Sequence, residues 1–261
     1  MPEATSQGLL PVNGTLVAAL VVLLLVATAV AASLRLSPDS SNGRAREIAA
    51  AGARASAQLA LVSVILGWVL HHEWALFVFL FLMFAVATRT AGRRITSNNT
   101  WWWAGLPIAL PVVPIVSALS ISGLLPLNGI AMVPVTGILI GGALTATVSA
   151  GRHSLDELTK RHGEFEAYLA IGFLQRNARL EVARPAASEA LLPGLDQTRT
   201  VGLVTLPGAF VGMLLGGASP LIAGAVQLFV LIALMAVQAV SVAMTVELIA
   251  RNRLNRSLQT I

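Results

Sequence analysis

Apolar runs separated by short polar breaks fill most of this chain, and their lengths are those of membrane spans. The first, Thr15–Ser33, ends at Arg35 and the polar stretch SPDSSNGRARE. A second runs from Ala51 to Leu70 and stops at His71-His72-Glu73; a third, Trp74–Thr88, ends at Arg89, Arg93 and Arg94. The fourth starts at Trp101-Trp102-Trp103 and reaches Leu124, interrupted by Pro107, Pro111 and Pro114. The fifth, Ile130–Ala150, holds Pro134, Gly137 and Gly141, residues that kink a helix or let another approach. A polar segment, Gly151–Leu192, separates it from a sixth run, Thr200–Gly217. The seventh, Leu221–Ala250, ends at a basic tail. The pattern predicts an all-α polytopic protein with about seven transmembrane helices, folded as a single transmembrane domain over 1–261.

The stretch Pro193–Pro220 organises this reading. It opens on a polar collar, Asp196-Gln197-Thr198-Arg199, and then turns apolar. Gly208, Gly212 and Gly216 recur every fourth residue, which predicts one helical face open to close packing. Pro207 stands just before them, where a missing backbone donor bends a helix. Asp196 and Arg199 are spaced to pair on one face, either fixing the helix at the interface or coupling it to cytoplasmic motion.

Charge adds the orientation. With the N-terminus outside, all 17 Lys and Arg fall on the inner side and the outer loops hold none, the positive-inside pattern of an N-out, C-in protein. The sequence pI of 11.2 therefore reflects topology, and no basic face for nucleic acid is gathered. Charged residues are only 11% and the mean hydropathy is +0.79, which excludes an ordinary soluble domain. The start, MPEATSQ, lacks the basic region of a cleaved signal peptide, so the first run is expected to stay in the mature protein. The three tryptophans read as an interfacial anchor.

Candidate chemistry is sparse. Without cysteine there are no disulfides or thiolate metal sites. GxxxxGK[ST] and HExxH do not occur, so no nucleotide cradle or zinc-hydrolase signature is carried, and no cofactor is expected. His71, His72 and Glu73 have the ligand types of a metal site, although an ordinary polar turn uses the same residues. Glu247, near the inner end of the last span, is a proton-relay candidate or a residue that snorkels or pairs. Within Gly151–Leu192, Leu158–Ala170 is expected to extend the fifth helix below the membrane and Gly172 to break it. Gln175–Ala183 reads as a short polar helix, with Pro185 in the first turn of another. The segment is either a docking surface for a soluble partner or a solvated loop.

The residues resemble those of the FetB-type permeases of ABC transporters, an iron-export family that includes plant aluminium-sensitivity membrane proteins. The likeness is carried by Pro193-Gly194-Leu195-Asp196, by Thr200-Val201-Gly202-Leu203-Val204-Thr205-Leu206-Pro207-Gly208, and by Gly212, Gly217 and Pro220. Leu169-Ala170-Ile171-Gly172, Arg184, Pro134, Gly137, Gly141, Arg54 and Gln58 also fit the family pattern. Arg199 stands at its lysine; Ala209-Phe210, Gly142, Phe173-Leu174 and Ser219 depart from it. The resemblance implies a multi-pass permease of the inner (plasma) membrane, a homodimer working with a separate ATPase subunit and not itself an enzyme. Leu169, Gly172, Arg184, Asp196 and Arg199 would form the coupling surface within about 151–199. Iron or another metal is the implied cargo. A stand-alone, ion-coupled secondary transporter leaning on Glu247 is the competing reading, and a non-transporting membrane scaffold is a third.

Overall fold

A computed structural model describes residues 13–34 and 43–256 of the chain. Arg35, one of the basic residues used for orientation, lies outside them. Among the described residues the secondary structure is helical, with one isolated bridge between Val201 and Thr205. The chain divides into two compact units at Trp68 and Val69.

The first unit contains α1 (Gly14–Ser33) and most of α2 (Gly43–Val69). Asn13 caps α1, its side chain accepting from the Leu16 amide. Gly52 of α2 lies against Leu24 of α1, where a Cβ would sit 2.7 Å from the leucine methyl. Most other apolar side chains of this pair are exposed, as expected for helices whose solvent is lipid.

The second unit is a bundle of four long helices and a set of shorter ones. The long helices are α3 (Glu73–Ile95), α4 (Gly105–Ile121), α5 (Gly129–Lys160) and α10 (Pro220–Ala250). Between α5 and α10 lie α6 (His162–Ala170), α7 (Gln175–Ser188), α8 (Leu192–Thr200) and α9 (Gly208–Leu215). Helices α3 and α5 run in the same direction: Met83 meets Gly137 and Ile95 meets Gly151. Helix α10 runs with them, since Leu234 meets Gly142 and Arg256 pairs with Asp156. The core is apolar, built on fully buried Ile95, Ile108, Leu139, Leu231, Ile249 and Leu254. Gly92 of α3 admits the Trp101 backbone carbonyl, which lets the 3-10 turn Trp101–Ala104 fold back and start α4.

Among the described residues, six helices are long and apolar enough to cross a membrane. They match the expected spans except the sixth, which is not one helix. Residues 201–207 are irregular, and α9 has only 8 residues, too few to span. Gly202 turns there with φ +82°, and its amide donates to the Thr205 carbonyl, while the Val204 amide donates to Thr200. These local bonds compete successfully with helix continuation, and Pro207, unable to donate, becomes the N-cap of α9. Because α5 and α10 point the same way, the chain must return between their ends, and α8 and α9 lie along that route. Gly194 of α8 packs on Gln238, whereas Phe210 of α9 reaches Gly224. Those α10 positions are 14 residues apart, or about 21 Å at 1.5 Å per residue.

Candidate functional site

Two further corrections concern the polar segment. The fifth helix continues to Lys160, breaks at Arg161 and resumes as α6. Arg161 hydrogen-bonds Glu164 in the first turn of α6, and this holds the Glu164 carboxyl below its ordinary range. Pro185 does not start a new helix. It sits inside α7, where its only loss is the bond its nitrogen would make to the Glu181 carbonyl, one turn from the helix end.

Gly172 ends α6, as its position predicts. Its φ is +92°, its amide donates to Leu169 O at 3.0 Å, and the Phe173 amide donates to Tyr168 O at 3.0 Å. This is a Schellman closure, completed by the Tyr168 and Phe173 rings with centroids 5.1 Å apart. The turn presents Ile171 and Leu174, each 72% exposed, between two polar helices. Two large aliphatic side chains held outward on a rigid turn form an apolar knob.

The knob is tied to the bundle. Arg176, in the first turn of α7, donates two hydrogen bonds to Glu247 of α10, at 2.8 and 2.6 Å. Arg251 pairs with the same carboxylate. Glu247 is thus clamped between two guanidiniums at the end of α10, and Arg176 is held above its ordinary pKa chiefly by that hydrogen bond. Beneath it, Leu180 and Ala187 of α7 are buried with Ala146 and Ala150 of α5 and Val242 and Val246 of α10. Helix α7 is therefore joined to α5 by packing and to α10 by both packing and charge.

The other coupling candidates are more loosely placed. Arg184 is exposed on α7, 3.8 Å from Glu181. Asp196 and Arg199 do pair on α8, at 3.4 Å, but both are exposed. The structure thus gathers Leu169, Gly172 and Arg184 on the α6–α7 hairpin and puts Asp196 and Arg199 at the foot of the broken span.

The packing glycines divide. Gly137 lies on Met83, whereas a Cβ at Gly141 would meet nothing within 4 Å. Pro134 sits inside α5 near its start. Gly208 and Gly212 lie on α9 and Gly216 is its C-cap, yet among the described residues a Cβ at Gly208 or Gly212 would meet nothing within 4 Å. Close packing occurs instead at Gly142, against the Leu234 side chain, and at Gly194, against the Gln238 amide. Gln238 was not singled out in the sequence; an amide in an apolar span was the available signal.

Among the described residues no group of three His, Cys, Asp or Glu side chains is placed to hold a metal. His71 and His72 occupy the turn before α3, with the His72 and Trp74 rings edge to face. The Glu73 side chain lies outside the described residues. Buried oxygens without a hydrogen-bond partner occur at Thr136, Thr147 and Ser154 of α5 and at Gln227 of α10. Spacings of 11 and 7 put the three α5 hydroxyls on one face, a polar stripe inside the bundle.

Residues 15–254 match a family described as an uncharacterised protein family, UPF0014. The chain belongs to the UPF0014 family. It is 33% identical over 182 residues to Protein ALUMINUM SENSITIVE 3 of Arabidopsis thaliana, covering 68% of this chain and 66% of that protein. It is 32% identical over 220 residues to the UPF0014 membrane protein STAR2 of Oryza sativa, covering 82% and 77%. The Probable iron export permease protein FetB of Escherichia coli is 24% identical over 191 residues, covering 72% and 74%. No solved structure matches. With its apolar helices, this UPF0014 chain is a multi-pass membrane protein.

Proposed function

We propose that this protein is the membrane-spanning permease subunit of an ABC exporter, driven by ATP hydrolysis in a separate subunit. One observation carries the reading: the apolar Ile171–Leu174 knob stands on α6 and α7 and is linked to α10 by the Arg176–Glu247 pair. A permease without a nucleotide site of its own needs such a lever. Leu169, Gly172 and Arg184 form its docking face, and Asp196 and Arg199 lie where α8 leads into the broken span.

The functional unit is a homodimer of single-domain permeases. The support is the irregular stretch 201–207, where Leu203 and Val204 are 91% and 78% exposed within one chain. Non-helical backbone at membrane depth has to be covered by protein or line a water-filled cavity. A second copy, seated on the open Gly208–Gly212 face, provides that cover. The basic ends of α3, α5 and α10 face the cytoplasm across the inner membrane, which gives the N-out, C-in arrangement. The cargo is a metal ion, with iron taken from the name of the bacterial relative. The oxygen stripe on α5 offers hard donors along its path. A proton-coupled secondary transporter would lean on Glu247, and the two arginine pairs on that carboxylate weigh against it.

Affinity purification from native membranes in mild detergent tests this. A stoichiometric P-loop ATPase, retained by wild type and lost in I171D/L174D, is the expected result. Intact protein with no ATPase attached would transfer the reading to the secondary transporter.

A further inference from the structure

At the end of the bundle where α3, α5 and α10 terminate, a cavity of about 910 Å3 is lined by Arg93, Arg94, Arg152, Arg179, Arg256 and His162. None of its lining residues is acidic. Asp156 offsets Arg256, and Glu166 lies 3.4 Å from His162. Arg94, Arg152 and Arg179 enter no ion pair with a described carboxylate. Arg179 is partly buried beside the Phe165 ring, and that burial lowers its pKa. Three uncompensated guanidiniums around one concavity are arranged for a phosphate group.

A second cavity, of about 320 Å3, shares Arg94 and Arg152, is also lined by His153 and by Asp156, whose carboxylate is taken by Arg256, and climbs α5 past Ser149 and Val148 to Thr145. Gly141, one turn further, is open on its Cβ side. From Arg152 to Thr145 the cavity rises about 10 Å along the helix. A soluble phosphate needs no such approach, whereas a phospholipid places its headgroup at the arginines and an acyl chain along the helix. Trp101 and Trp103 lie close by, beneath Arg93 and Arg253, at the depth where aromatic rings meet headgroups.

We propose that this pair of cavities binds an anionic phospholipid, its phosphate held by Arg94, Arg152 and Arg179. The site is separate from the Ile171–Leu174 knob and does not depend on the identity of the cargo.

The test is native mass spectrometry of the full chain released from nanodiscs of phosphatidylglycerol mixed with phosphatidylcholine, comparing wild type, R94Q/R152Q and R54Q. Wild type and R54Q should retain phosphatidylglycerol preferentially, with the double variant retaining about 25-fold less, fivefold for each arginine. Brominated phosphatidylglycerol should also quench wild-type tryptophan fluorescence more than brominated phosphatidylcholine at equal mole fraction, a readout that needs no variant. Equal retention of the two lipids, or an undiminished preference in R94Q/R152Q, overturns the proposal. Displacement of the lipid by millimolar inorganic phosphate overturns the lipid source and assigns the cavity to a soluble anion. Displacement by the copurifying ATPase alone overturns it in favour of a protein contact.

Discussion

The Ser241 hydroxyl of α10 donates to the carbonyl of Pro107 in α4, 2.9 Å away in the buried interior. Pro111, one turn on, has no N–H to offer that carbonyl, so the proline that weakens α4 also creates the acceptor joining it to α10. Replacing Ser241 with Ala leaves the carbonyl buried without a partner and should cost about 1–3 kcal/mol. Denaturation in detergent measures it; S63A, which removes an exposed hydroxyl bonded only within α2, should stay within about 0.5 kcal/mol of wild type.

Gly172→Ala places a Cβ at φ +92°, a conformation costing about 1–2 kcal/mol for an L-residue. No neighbour lies within 4 Å of the added atom, so the strain is confined to the turn. Insertion and bundle stability should survive while ATPase stimulation falls. Transport and ATP hydrolysis measured together in proteoliposomes separate these outcomes.

Removing Arg176 or Glu247 strips charge from one clamp. R176Q leaves Glu247 with Arg251, whereas E247Q leaves both arginines without their carboxylate. The two losses should be non-additive, with a coupling energy of about 0.5–3 kcal/mol in a double-mutant cycle. Purely additive values would mean that α7 is held to α10 by apolar packing alone.

Two glycine substitutions separate packing inside the chain from packing between chains. G92A drives a methyl into the Trp101 carbonyl and should abolish folding, since both partners are backbone. G212A meets nothing within the chain and should leave the isolated protomer as stable or slightly more so, alanine being the better helix former by about 0.5–1 kcal/mol. If G212A nonetheless lowers the dimer fraction in crosslinking, the α9 face is the subunit contact.

The long helices were legible because hydropathy and the arginine breaks mark where an apolar segment must end. Even so, α3 runs on to Ile95, beyond the Thr88 limit, since arginines near a helix end extend their stems past the boundary. The sixth span was misread for a different reason. Hydropathy sees Val201–Leu206 as apolar and has no knowledge of φ at Gly202, so a tight loop and a helix look alike. The Gly208–Gly212–Gly216 spacing predicts a packing face, yet within the described chain a Cβ at Gly208 or Gly212 would meet nothing within 4 Å. Arg176 and Glu247 are separated by 71 residues, and nothing local in either neighbourhood forecasts their pairing.

The tail beyond α10 clasps what came long before it. The Arg256 guanidinium reaches the Ile95 carbonyl and Asp156, while the Asn255 carbonyl accepts from Thr96 and Asn98. These partners precede it by between 100 and 161 residues. The ends of α3 and α5 can pack on each other once both are made, but their bonds to Asn255 and Arg256 form only after α10 has been synthesised. Removing residues 255 and 256 would therefore unfasten the ends of α3 and α5 while leaving α10 whole.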